Sequence, residues 1–279
     1  MSEFEPVSDE TRLGILRELA ARLRESPDDP TIGFSDLRRR VGVRDSGNFN
    51  YHLQRLTGRF VTKTPDGYRI AAAGVRVVAA VVSGTYGEGT RLGPERIEDP
   101  CPVCGAALRA SYADGMVRVT CAADDDHRFR TPLPPGAVEE RMLAEVLDLV
   151  ARKTWQETTL AADGICPMCY GRVPWEVEQP REGDLAEFAD QCPRCGARFE
   201  LPAVVPLSTA PTAVAFFDDH GTRLHDQPLW AEAFAAPVSI DTADESPRFT
   251  ITVRLDDERL RAAVDRSLDV HCVRRESVD

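Results

Sequence analysis

Four cysteines, set as Cys166-Pro-Met-Cys169 and Cys192-Pro-Arg-Cys195, constrain this chain more than any other feature. A Cys-x-x-Cys knuckle is a tight turn that aims two thiolates at one point, and two knuckles complete a tetrahedral shell. The spacing predicts a zinc ribbon over residues 163–203. Four thiolates leave no position for water, so the pattern predicts a structural Zn2+ rather than a catalytic one.

A second, weaker copy precedes it. Cys101-Pro-Val-Cys104 is followed by Cys121 and His127, with Asp124, Asp125 and Asp126 in between. Both copies begin Cys-Pro-x-Cys, place their last ligand candidate shortly before Arg-Phe (Arg128-Phe129 and Arg198-Phe199), and run into Leu-Pro (Leu133-Pro134 and Leu201-Pro202). The pattern reads as a duplicated ribbon, the first copy over residues 98–134. The fourth ligand there is His127, in a Cys3His shell, or else an Asp or water. Met116 to Thr120 and Val173 to Val177 read as ribbon strands. Residues 136–160 read as a linking amphipathic helix, with Val138, Met142, Val146, Leu149 and Val150 on one stripe. That stripe is core or a seam against a partner.

The chain carries 34 basic and 46 acidic residues, for a net charge of −12, and only Lys63 and Lys153 are lysines. Salt adaptation and a GC-rich genome both account for that usage. The charge is uneven: residues 34–76 hold nine basic and three acidic residues. A basic island on an acidic chain suits a polyanion. No stretch approaches the roughly 20 apolar residues of a membrane span, and Met1 to Asp9 lacks an apolar signal region. The expectation is a cytoplasmic protein with no membrane association, where cysteines serve metal rather than disulfides.

In that island, Asp9 can cap a helix with Leu13, Leu16, Leu19, Ala20 and Leu23 on one face. Thr31 to Phe34 reads as extended. Ser35 caps a second helix through Leu37 and Val41, which Gly42 breaks. Asp45 or Ser46 caps a third, with Phe49, Leu53 and Leu56 inward. Strands around Pro65-Asp66-Gly67 make a hairpin, and a fourth helix covers about 71–82. This order, over residues 8–90, predicts a winged helix-turn-helix in which the third helix lies in the major groove. Ser46, Asn48, Asn50, Tyr51, Gln54 and Arg55 would then face base edges. Arg38, Arg39, Arg40, Arg44, Arg59 and Lys63 surround them as candidates for phosphate contact. His52, beside the buried face, reads as a packing or phosphate-adjacent residue.

Asp45-Ser-Gly-Asn-Phe-Asn-Tyr-His-Leu-Gln-Arg-Leu56, with Phe60-Val61 and Asp66-Gly-Tyr-Arg-Ile70, resembles the recognition helix and wing of ArsR-like winged-helix regulators, most closely haloarchaeal proteins that join this domain to zinc ribbons. The resemblance implies a homodimeric transcription regulator that binds double-stranded DNA. It implies no arsenic sensing, because the Cys-Val-Cys sensor motif is absent and residues 1–100 contain no Cys. It names no small-molecule effector.

Residues 204–279 read as a small α+β domain. Pro211 to Asp219 and Leu229 to Ala235 look helical. Phe249, Ile251, Val253 and Leu255 alternate as a strand. Residues 257–267 are a second strand or a helix, and Leu268 to Val273 a third strand. His220, His225, His271 and Cys272 read as ordinary residues rather than a third metal site. The whole is thus expected to be α+β. Without a phosphate-binding Gly loop, a nucleophile–His pair or a His-x-Glu zinc motif, an enzyme ranks last. The alternative to DNA reading is an adaptor whose zinc ribbons make the contacts themselves.

Overall fold

Asp9 opens the first helix, α1 (Glu10–Glu25), by accepting the Arg12 backbone N–H on its carboxylate at 3.1 Å, the usual cure for an orphan N-terminal donor. The computed structural model describes residues 7–84, 90–176, 187–231, 234, 238–242 and 248–278, and is mixed helix and sheet. It divides into two compact units, residues 1–89 with 134–136, and residues 90–133 with 137–279.

In the first unit, α2 (Phe34–Val41) starts from Gly33 with no side-chain cap and stops at Gly42, which is left-handed at φ 79°. Ser35, expected as the cap, instead sits in the first turn. Asp45 caps α3 (Ser46–Leu56) through the Asn48 N–H at 2.6 Å. Strands β1 (Val61–Thr64) and β2 (Gly67–Ile70) pair across Pro65-Asp66. Gly67 is obligatory there, since a Cβ would meet the Ile32 carbonyl oxygen at 2.2 Å, and Ile32 bridges Tyr68 on β2. Helix α4 (Ala72–Val82) follows. Ile15, Leu16, Leu19, Leu37, Phe49, Leu53 and Leu56 are wholly buried, each contributing on the order of 1.5–3 kcal/mol relative to exposure.

The second unit holds two cores spanned by one helix. β3 (Leu92–Pro100), β4 (Ala107–Ala113), β5 (Met116–Cys121) and β6 (Arg128–Pro132) form an antiparallel meander. Its inner face, with Leu108, Ala110, Tyr112, Val117 and Val119, packs with Val146 and Val150 of α5 (Leu143–Ala162). The far half of α5, with Trp155 and Ala161, joins the other core. That core also contains Phe188 and Leu201 of the hairpin β7 (Glu187–Gln191) and β8 (Arg198–Pro202), Phe216 and Phe217 of α6 (Pro211–Asp219), and one face of a second meander. That meander is β9 (Val238–Thr242), β10 (Arg248–Leu255), β11 (Glu258–Asp265) and β12 (Val270–Ser277).

Several expectations change. The helix expected over 136–160 begins only at Leu143, where the Glu145 carboxylate accepts the Met142 N–H at 2.8 Å. Val138 is buried from a turn and Met142 is 72% exposed, so the stripe is shorter, and it faces the unit's own cores. Val173 to Glu176 form no strand: Arg172 makes an isolated bridge to Ile165, and Val177 lies outside the described residues. Trp175 is instead anchored through its indole N–H, which donates to the Ala161 carbonyl at 2.6 Å. Leu229 and Trp230 are turn and Ala231 a bend rather than α-helix, Phe234 lies in a 3-10 turn, and positions 232, 233 and 235 lie outside the described residues. Residues 257–267 are strand and turn, because Leu260, Ala262 and Val264 alternate into the core. The third strand starts at Val270, after Leu268 has turned through φ 67°.

Candidate metal centres and nucleic-acid interface

Three of the cysteine turns share one backbone pattern. Cys101 N–H donates to the Ala106 carbonyl, and the Cys101 carbonyl accepts from Gly105 N–H; Cys166 does the same with Gly171 and Tyr170, and Cys192 with Ala197 and Gly196, all at 2.7–2.9 Å. The residue four places after each first cysteine is left-handed: Gly105 at φ 70°, Tyr170 at φ 55°, Gly196 at φ 77°. Glycine adopts this without cost; Tyr170 does not. The fourth turn is one residue longer, with Cys121 N–H donating to the His127 carbonyl at 3.1 Å.

These turns gather two donor groups, Cys101/Cys104/Cys121/His127 and Cys166/Cys169/Cys192/Cys195, with all ligand atoms of each within 4.8 Å of one another. A four-coordinate ion with bonds of about 2.3 Å needs donor–donor edges of about 3.8 Å. Cys166–Cys195 and Cys169–Cys192 Sγ pairs lie at 3.6 and 3.7 Å. In the first group Cys101 Sγ is 3.7 Å from His127 Nδ1 and Cys104 Sγ 3.4 Å from Cys121 Sγ. Both groups therefore fit a metal ion, and His127 is the fourth donor of the first. The Asp124 carboxylate lies 3.8 Å from His127 Nε2, on the ring's far side. The pair is longer than a hydrogen bond, so Asp124 stands near the position from which a carboxylate orients a ligating imidazole, without the bond itself. Sequence reasoning missed this placement of Asp124, although its i,i+3 spacing to His127 was the available signal.

One thiol in each group is acidic. The Ala123 N–H on its sulfur, at 3.3 Å, is the main cause that lowers Cys121 to about 7. Burial works against Cys192, but backbone N–H groups of Cys195 and Arg194 and the neighbouring thiols lower it to about 7. A partner in each group moves the other way. The Ala106 N–H favours the Cys104 thiolate, but the Cys121 thiol, burial and Cys101 outweigh it and raise Cys104. Cys195 is pushed up to about 12: the Ala197 N–H favours its thiolate, but burial and the neighbouring thiols, Cys192 among them, outweigh that bond. Each group thus releases its first proton readily and holds a later one, as closely spaced thiols do until a cation offsets their charge.

The remaining metal-capable residues are occupied elsewhere. His220 Nδ1 lies 2.7 Å from the Phe216 carbonyl, His225 Nε2 lies 3.2 Å from the Ser208 carbonyl, and His271 Nε2 lies 2.6 Å from the Asp265 carboxylate. Cys272 is exposed and belongs to neither group.

In the first unit, Ser46, Asn48, Asn50, Tyr51, Gln54 and Arg55 form one exposed face of α3, with Tyr51 52% exposed. Arg55 lies over the Tyr51 ring at 5.4 Å, and Arg59 over Phe60 at 5.1 Å. His52 is mostly buried, with Nδ1 3.3 Å from the Asp9 carboxylate. The arginines of α2 are already engaged. Arg38 donates to the Arg44 carbonyl at 2.5 Å, Arg39 pairs with Asp36 at 2.9 Å, and Arg40 lies 3.9 and 3.7 Å from Glu18 and Glu25 of α1. Exposed pairs of this kind are worth about 0–1 kcal/mol, so a phosphate could displace them cheaply. Arg44 and Lys63 are exposed, and neither forms an ion pair among the described residues.

No helix among the described residues is long and apolar enough to cross a membrane. Residues 98–270 match a family model described as Domain of unknown function (DUF7351), and residues 1–81 match another, Domain of unknown function (DUF7347). No curated protein and no solved structure matches the chain.

Proposed function

The chain belongs to the DUF7351 family, and we propose that it is a homodimeric transcription regulator. In this reading residues 8–90 are a winged helix-turn-helix that binds double-stranded DNA, and the two donor groups are structural zinc ribbons. The observation that carries the DNA reading is the division of α3. Phe49, Leu53 and Leu56 are fully buried, while every candidate base-reading side chain, from Ser46 to Arg55, is exposed. Asn and Gln suit the adenine edge and Arg the guanine edge. The hairpin β1–β2 takes the place of the wing, with Lys63 on its exposed side.

Zinc fits the donor sets because a shell of four thiolates, or of three thiolates with one imidazole, favours it over hard cations. Four protein donors leave no open position, so the role is structural. The dimer reading rests on α4, where Ala72, Val75, Ala79 and Val82 form an exposed apolar stripe at helical spacing. Val75 is 40% and Val82 64% exposed, and a second copy of the helix would cover them.

The test is genome-wide mapping of DNA bound by the full chain, set against an Asn48→Ala/Asn50→Ala/Arg55→Ala variant. Each lost base contact should cost about 1–3 kcal/mol of discrimination, so the variant should lose the selected sites. Retention of the same sites would remove α3 as the reading element.

A further inference from the structure

The meander β3–β6 turns its other face outward, and that face is cationic. Cross-strand register puts Arg96 opposite Arg109 and Arg118 opposite Arg130, while Thr120 stands between Arg109 and Arg128. All five arginines are exposed. Every strand of the sheet contributes at least one. The outward positions of β4, β5 and β6 carry no carboxylate. Yet residues 91–279 hold 21 basic and 34 acidic residues. Like charges placed directly opposite on neighbouring strands destabilise a sheet, and a bound polyanion relieves that repulsion.

Two of the five are tied down: Arg118 donates to the Ala113 carbonyl, and Arg128 to the Asp125 carbonyl beside Asp126. The side chains of Arg96, Arg109 and Arg130 form no hydrogen bond or ion pair among the described residues. The duplicate hairpin β7–β8 differs. Its outward row includes Glu187 and Glu200, and its one arginine, Arg198, lies 3.6 Å from Glu200.

We infer that the outward face of β3–β6 is a second DNA-contacting surface, one that grips the phosphate backbone without reading bases. This rests on the proposed DNA-binding function. A protein partner would need an apolar or aromatic centre to its interface, whereas Met116 is the only large apolar side chain among the outward positions of β4, β5 and β6. Charge without apolar area is the signature of backbone binding. Neighbouring strands lie about 4.8 Å apart and outward residues repeat about every 6.8 Å along a strand, so the arginines form a grid over which a duplex can take more than one position.

The experiment measures binding of a random-sequence duplex by the full chain across a salt series. An Arg96→Gln/Arg109→Gln/Arg130→Gln variant should lower the slope of log affinity against log salt by about 2–3, near 0.9 per lost phosphate contact. Affinity at low salt should fall at least about tenfold. A control with equal charge change, Arg198→Gln/Arg223→Gln/Arg266→Gln, should leave the slope unchanged. Both variants should keep the wild-type metal content and far-ultraviolet spectrum. Equal slopes for wild type and the first variant would overturn the inference while leaving the DNA reading intact. An equal loss in both variants would overturn it too, as a net-charge effect. Loss confined to single-stranded RNA, with duplex binding unaltered, would reject DNA as the occupant. A wild type that binds no duplex at any salt would overturn the DNA reading itself and this surface with it.

Discussion

The two cysteine regions share a turn pattern at three of their four turns but are embedded differently. The second, Cys166 to Cys195, shares its core with α5, α6 and the β9–β12 sheet, and Cys166 and Cys192 are part of that core. The first, Cys101 to His127, has a smaller core of its own, capped by one half of α5. Its fourth donor is a histidine with a carboxylate 3.8 Å from its other ring nitrogen, rather than a fourth thiolate. A duplicated motif can therefore carry two burdens: one copy is built into the unit's main core, while the other keeps an open sheet face.

The largest effects should come from removing one ligand from each copy. Cys192→Ser should lose one metal ion per chain and unfold most of the second unit, since structural zinc couples about 10–16 kcal/mol of binding to folding. Metal analysis with circular dichroism checks both. His127→Ala should also lose one ion, but the β9–β12 core should persist, giving a partial rather than a global loss of structure. If both variants unfold equally, the two cores are not separable. Asp124→Asn is milder: affinity at the first site alone should fall about 10–100-fold, read by chelator competition, with the second ion retained. The smallest effects concern indole hydrogen bonds. Trp175→Phe removes one donor from the Ala161 carbonyl, which keeps the Gly164 N–H at 2.9 Å, and should cost about 1–1.5 kcal/mol. Trp230→Phe removes the bond to the Asp99 carboxylate at 3.2 Å and should cost less, about 0.5 kcal/mol, because Asp99 is only half-buried. Thermal unfolding of the two variants gives the order.

Local chemistry was the legible part of this molecule. Asp9 and Asp45 declare their helices, and Gly42 ends one, because caps and left-handed stops are decided within a few residues. The donor groups were legible too, since knuckle spacing fixes which sulfurs meet. What escaped depended on distant partners. Val138 fits a helical stripe yet is buried from a turn. Glu187 to Gln191 is polar on one face, and only its pairing with Arg198 to Pro202 makes it a strand. Residues 257–267 suit helix or strand until β10 and β12 flank them. The arginine face was illegible for the same reason: its members are scattered from Arg96 to Arg130, and only the register across four strands brings them together.

The three tryptophans, Trp155, Trp175 and Trp230, all lie in the second unit, each with its indole N–H bonded to a residue of that unit. Their emission is thus an optical label confined to the second unit. Tyr51, on the exposed face of α3, and Tyr68, on β2, sit in the tryptophan-free first unit. Selective excitation of tryptophan would follow metal loss and melting of the second unit without interference from the first, and with no dye attached.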